Sequence, residues 1–236
     1  MFQLTHKQLL ELVFWTREME RDKYAAERKK LEQYLQTFLA AAIDSGFGNT
    51  SHLYAEQYLQ MFNAVAMSLY CWLGKHVLEI GPGPYWGLLQ WMREWPSVER
   101  CVAVDPLFPA YGACGLLEER GSILRVDEPF EYWDCDSEQF DSIISTNSLD
   151  HGEMGFYLLP KVARLLRPGG HFLLHVHFRP KELLNLLHDH QLTADQLARS
   201  VADAGLVEEW CEILPKDIDG QFCEAVIGIW RKPECQ

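Results

Sequence analysis

Apolar residues in the first 72 positions recur at helical spacing. Leu31, Leu35, Phe38, Leu39 and Ile43 form one stripe, and Tyr54, Tyr58, Met61, Phe62, Val65, Leu69 and Trp72 form another. Between Arg17 and Glu32 the polar positions carry Glu18–Arg21, Glu20–Lys23 and Glu27–Lys30 pairs, three residues apart and so neighbours on a helix surface. The run from Asp44 to Ser51 interrupts the pattern, and Ser51 is placed to cap a following helix. A helical segment over residues 1–72 is predicted, forming a cap or lid. A second unit is expected over 73–236.

From Lys75 the period changes. Short apolar runs bounded by Gly, Pro and Asp occupy His76–Ile80, Cys101–Val104, Ile123–Val126, Ser142–Ser145, Phe172–Val176, Val207–Ile213 and Ala225–Trp230. Helical stretches separate several of them, at Tyr85–Glu94, Phe156–Leu166 and Ala194–Ala204. Alternation of this kind predicts an open α/β sheet, mostly parallel and covered on both faces. The last two runs are joined by Pro215–Gly220, too short for a crossover helix, and should pair antiparallel.

Composition narrows the partners. The 236 residues are 48% hydrophobic, which excludes disorder, and carry a formal charge of −13. Nucleic-acid binding normally needs a basic face, and the only dense basic cluster is Arg28-Lys29-Lys30, so no nucleic-acid partner is expected. A small or cationic ligand fits this charge better. No apolar run reaches the roughly 18–20 residues of a membrane span, and the N-terminus lacks the layout of a signal peptide. The seven cysteines are scattered and never form CxxC, which suits reduced thiols in the cytoplasm.

The candidate chemistry begins where the first strand ends, in Glu79-Ile80-Gly81-Pro82-Gly83-Pro84-Tyr85-Trp86. A pyrophosphate cradle needs main-chain N–H groups, but Pro82 and Pro84 have none. Trp86 stands where a dinucleotide fingerprint has its third glycine, and Glu79 would repel phosphate. A donor-poor loop beside an acid suits a ligand with a cationic end and no phosphate, such as S-adenosylmethionine. The next strand ends at Asp105, 22 residues beyond Gly83, close to the roughly 20-residue spacing at which an acid meets a ribose diol. Each charge-assisted bond from that diol is worth roughly 1.5–3 kcal/mol. Asp105-Pro106 is also an ordinary turn sequence.

Four motifs taken together, KHVLEIGPGP (75–84), CVAVDP (101–106), FDSIISTNSLDHGEM (140–154) and LLRPGGHFLLHVH (165–177), resemble the class I S-adenosylmethionine-dependent methyltransferases. The resemblance implies a Rossmann-like seven-stranded sheet whose last strand is antiparallel, and a helical N-terminal lid. It implies that Glu79, Gly81, Pro82 and Gly83 line the methionine end of the cofactor, with Asp105 on the ribose. Asp127 or Glu128 would lie near the adenine, and Asn147 and Leu149 would flank the sulfonium. Pro84-Tyr85 departs from the small residues common there.

Six of nine histidines fall between 151 and 190. His151 follows the fourth strand, where acceptor meets methyl group in this fold, and can take a proton from an amine, phenol or thiol. Alternatively it only packs there, since alignment alone gives much of the rate. His175 and His177 share one face of a strand. With His188 and His190 they have metal-like spacing, but gathered carboxylates are lacking and no metal is expected. Tyr54, Tyr58, Phe62 and Trp86, with His175 and His177, are the candidate acceptor residues, though such aromatics also serve as core.

The function expected is in-line methyl transfer from S-adenosylmethionine to N, O or S of a small molecule, leaving S-adenosylhomocysteine. The alternatives are an RNA or protein methyltransferase, and a catalytically silent cofactor-binding or regulatory subunit of the same fold.

Overall fold

The computed structural model describes residues 12, 74–84, 89, 97–117, 121–149, 151, 155–178, 192–214 and 224–234. The predicted cap at 1–72 lies outside these residues apart from Leu12, which is helical and packs against the core.

Seven strands form one sheet: β1 His76–Ile80, β2 Arg100–Val104, β3 Ile123–Val126, β4 Phe140–Thr146, β5 Leu166–Phe178, β6 Val207–Leu214 and β7 Glu224–Arg231. Their order is β3-β2-β1-β4-β5-β7-β6. The five strands β1 to β5 run parallel, and β7 is antiparallel to both β5 and β6. The mostly apolar character of β1 and β2 follows from burial on both faces, and the Ser142, Ile143, Ile144 and Ser145 run of β4 is buried as well.

Alternation along the strands divides the core. Leu78, Ile80, Val102, Ile143, Phe172, Leu174 and Val176 face α2 (Leu159–Leu165) and α3 (Ala194–Asp203). Val77, Ala103, Ile144, Leu173 and Ile227 face Leu89 and α1 (Phe108–Ala113), which contributes Phe108 and Tyr111. Thr193 caps α3 by accepting the Gln196 N–H at 3.2 Å, as a β-region N-cap should. The sequence pattern gave no helix at 108–113; six residues, nearly all apolar, are too short to show a period.

β5 begins six residues before the expected Phe172. Its entry, Arg167-Pro168-Gly169-Gly170, reads as a turn, yet it pairs with the chain leaving β7. Gly169 N–H donates to Lys232 O, and Lys232 N–H donates to Gly170 O, both at 2.9 Å. A side chain at Gly170 would lie 3.0 Å from the Asp141 carbonyl, so glycine permits the close approach.

The chain leaves β1 toward β2 and β3 and returns to β4 on the other side of β1. This reversal opens a crevice at the carboxyl ends of β1, β2 and β4, where open α/β sheets bind their ligands. Among the described residues no helix is long and apolar enough to cross a membrane.

Candidate functional site

Besides the turn that Asp105 starts after β2, three turns meet at that crevice. The first, Gly81-Pro82-Gly83-Pro84, leaves β1 through two glycines of positive φ, +62° and +68°. A Cβ on Gly81 would lie 2.5 Å from the Cβ of Ser148, so this position admits no side chain. Gly81 donates its N–H to Val104 O at 2.9 Å, and Gly83 donates its N–H to Asp105 Oδ2 at 3.0 Å. With both prolines lacking an N–H, the loop spends its glycine donors inside the protein. The sequence argument against a phosphate cradle is strengthened by that geometry.

Glu79 is 1% exposed and accepts the Leu89 N–H at 2.9 Å through Oε2. Asp105 is 5% exposed; besides Gly83 it accepts the Leu107 N–H at 2.9 Å through Oδ1. Asp105 thus starts the turn into α1 from the carboxyl end of β2, as the Asp-Pro dipeptide suggests. No cation faces it among the described residues. Burial pushes its carboxyl up from 3.8 to about 6; the two N–H bonds oppose that rise and nearby Asp127 adds to it.

The second turn follows β3. Asp127 is paired with Arg125, Oδ1 to Nε at 2.7 Å, and Glu128 is exposed. The loop beyond is tied down by Lys161 of α2. Its ammonium donates to the carbonyls of Phe130 at 2.6 Å, Glu131 at 3.3 Å and Trp133, and lies 4.9 Å from the centre of the Phe130 ring. Burial holds the pKa of this lysine down. Sequence reasoning missed Lys161, although a lone lysine among the apolar residues of 156–166 was a usable signal.

The third turn follows β4. Asn147 has φ +51°, and its N–H donates to His175 O at 2.7 Å. His177 Nδ1 donates to Asn147 Oδ1, also at 2.7 Å. Ser148 Oγ donates to Ile80 O at 2.6 Å and lies 2.7 Å from Ser145 Oγ. Leu149 is 1% exposed and packs in the core with Ile80 and Leu158. His151 is half-buried and donates its main-chain N–H to Ser148 O at 3.0 Å. His175 and His177 are buried, with rings edge to face at 5.1 Å. Ser148 carried no sequence signal, because its role depends on a contact 68 positions away.

The structure therefore brings Glu79, Gly81, Pro82, Gly83, Asp105, Asp127, Asn147, His151, His175 and His177 to one end of the sheet. Tyr54, Tyr58, Phe62, Trp86, His188 and His190 lie outside the described residues, as does the helix expected at 85–94 except for helical Leu89. Among the described residues no cluster of His, Cys, Asp and Glu could hold a metal ion. Cys114, Cys135 and Cys211 are free thiols.

This set of residues fits S-adenosylmethionine on physical grounds. Two buried carboxylates border a turn that offers few hydrogen-bond donors, which favours a cationic ligand bearing hydroxyls and disfavours a diphosphate.

A family model described as a methyltransferase domain matches residues 52–208, well over half of the chain. Solved structures agree in fold. An S-adenosylmethionine-dependent methyltransferase from Mesorhizobium loti superposes with a TM-score of 0.57 at 15% identity, covering 71% of this chain and 97% of that one. The Burkholderia thailandensis 1,6-didemethyltoxoflavin-N1-methyltransferase, solved with 1,6-didemethyltoxoflavin and S-adenosylhomocysteine, gives 0.55 at 16%, covering 88% and 90%. A chain from the complex of the Haloferax volcanii Trm112 methyltransferase activator gives 0.59 at 14%, covering 77% and 95%. No curated protein matches in sequence. With the matched domain, the sheet order and the acid-bordered glycine turn all in agreement, the chain belongs to the class I S-adenosylmethionine-dependent methyltransferases.

Proposed function

We propose that the protein methylates N, O or S of a small-molecule acceptor, using the crevice at the carboxyl ends of β1, β2 and β4. The observation that carries this reading is the pair of buried acids, Glu79 and Asp105, on either side of the Gly81–Gly83 turn. When bound, S-adenosylmethionine supplies a methyl carbon made electrophilic by its sulfonium. Glu79, Gly81, Pro82 and Gly83 would hold its methionine end and Asp105 the ribose hydroxyls. Asp127 and Glu128 would border the adenine, and Asn147 and Leu149 the sulfur.

His151 is the proposed proton acceptor, taking the proton that an amine, hydroxyl or thiol sheds as it is methylated. Tyr54, Tyr58, Phe62 and Trp86, with His175 and His177, would form the acceptor side and exclude water. The charge of −13 supports a small acceptor over a nucleic acid, because phosphate contacts need a basic face. The toxoflavin-precursor enzyme among the structural neighbours has a small-molecule acceptor, which is consistent with this choice.

Calorimetry with S-adenosylhomocysteine tests the donor side: binding is expected, and NADH binding in its place would end the reading. On the acceptor side, His151→Ala should lower turnover by roughly 10²–10⁴ with cofactor affinity kept. Unchanged turnover would reduce His151 to a packing role.

A further inference from the structure

The turn after β4 is built against its own backbone preference. Asn147 is one of two non-glycine residues with positive φ among those described, the other being Glu138, which precedes β4 at the opposite end of the strand. Asparagine tolerates the left-handed region better than most residues but still needs support there. That support comes from β5, through the Asn147 N–H on His175 O and the His177 Nδ1–H on Asn147 Oδ1. On the other side, Ser148 bonds the Ile80 carbonyl and fills the space beside Gly81. An unbroken chain of contacts therefore runs from His177 through Asn147 and Ser148 to the glycine turn.

The sheet explains why this chain crosses between the two sides of the reaction. Register pairs Glu79 with Ile144, Ile144 with Leu173 and Thr146 with His175. Alternation then puts Glu79, Thr146, His175 and His177 on one face, near the strands' carboxyl ends. His177 thus sits on the face and edge that hold the buried acid of the donor side.

We propose that His177 is a positioning residue: through Asn147 it holds the turn after β4 against the Gly81–Gly83 turn, and so couples the acceptor side to affinity for the methyl donor. The location of the donor rests on the function proposed above. The Asn147 amide oxygen can only accept, so this bond needs a proton on His177 Nδ1. The working feature is that donor, at that place.

Side-chain stereochemistry supplies the test. The amide nitrogen of asparagine falls near the place of imidazole Nδ1, and that of glutamine near Nε2. His177→Asn keeps the donor, whereas His177→Gln and His177→Leu lose it. Measured by calorimetry, S-adenosylhomocysteine should bind about tenfold more weakly to the Leu and Gln variants and within about threefold of normal to the Asn variant. Amide hydrogen exchange of the unliganded proteins reads the clamp without any cofactor. Exchange at Asn147 should accelerate in the Leu and Gln variants and not in the Asn variant.

In an Asn147→Gly background, where glycine takes the positive φ unaided, adding His177→Leu should cost no further affinity. Equal affinities for the Asn and Gln variants, or a full effect of His177→Leu in the glycine background, would overturn the proposal. A native protein that fails to bind S-adenosylhomocysteine would instead overturn the cofactor reading, and hydrogen exchange would still decide the clamp.

Discussion

At the amino-terminal edge of the sheet, Asp141 accepts the N–H groups of Lys75 and His76 at 2.9 and 2.8 Å and faces Arg167 Nη1 at 3.0 Å. Arg167 also donates to His76 Nδ1 at 2.9 Å, so one carboxylate and one guanidinium tie together the starts of β1, β4 and β5. At the carboxyl-terminal edge Asp105 likewise accepts two main-chain N–H groups, but no cation answers it among the described residues. Both acids sit where a strand meets a turn. The first has its charge balanced within the chain and serves stability. The second has no such countercharge among the described residues, and in the function proposed above it is the acid left for the cofactor. A buried acid without a countercharge is costly to the free protein, and sites of this kind are where perturbed carboxyls gather.

Glycines sharpen the contrast and give the largest expected effects. Each end of β1 has one pressed against β4 or its following turn: Gly74, whose Cβ would lie 2.1 Å from Asp141 Cβ, and Gly81, whose Cβ would lie 2.5 Å from Ser148 Cβ. Gly81 also needs φ +62°. Gly81→Ala should push the turns after β1 and β4 apart and reduce S-adenosylhomocysteine affinity by roughly 100-fold or more, beyond about 2.7 kcal/mol. Gly74→Ala should instead lower the melting temperature, with near-normal affinity in the fraction still folded. If both variants lost affinity equally, the two edges would not be functionally separate.

The acids come next in size. Asp105→Ala should weaken S-adenosylhomocysteine binding by about 10- to 100-fold, the worth of roughly one charge-assisted bond. Asp141→Ala should leave that affinity alone and cost about 1–3 kcal/mol of stability by denaturant titration, mainly from two N–H groups left without an acceptor. The ion pair to Arg167 adds little to that sum, because its side chains are 36% and 25% exposed and solvent screens them. A loss of affinity in Asp141→Ala would show that the amino-terminal edge also shapes the site.

What the sequence made legible follows the same division. The strands of the parallel sheet and the acid-bordered turn could be read because each is spelled by residue type over a few adjacent positions: apolar runs, Gly-Pro-Gly-Pro, an acid at a strand end. The links that join those pieces could not. The bond from His177 to Asn147 spans 30 positions, and it depends on a parallel register that shifts between Phe140 and Ser142. The early start of β5 depends on pairing with Lys232, which no local pattern announces. Asp105 illustrates the intermediate case, since its turn role and its place in the crevice are separate facts that one dipeptide can serve.

The smallest effect tests the unbalanced charge itself. With Asp105 raised from 3.8 to about 6 by burial, the folded protein holds a proton between pH 4 and 6 that the unfolded chain has released. Stability contributed through this group therefore falls as pH rises across that window, the reverse of an acid held in an ion pair, and is flat above it. Affinity runs the other way. If only the carboxylate accepts the ribose hydroxyls, S-adenosylhomocysteine binding should weaken about tenfold between pH 7 and pH 5. Asp105→Asn, neutral throughout, should bind weakly at both pH values and lose the stability slope between pH 4 and 6. A native protein whose affinity does not change from pH 7 to pH 5 would show that Asp105 stays charged without a ligand. The contrast between the two edges would then lie in geometry alone.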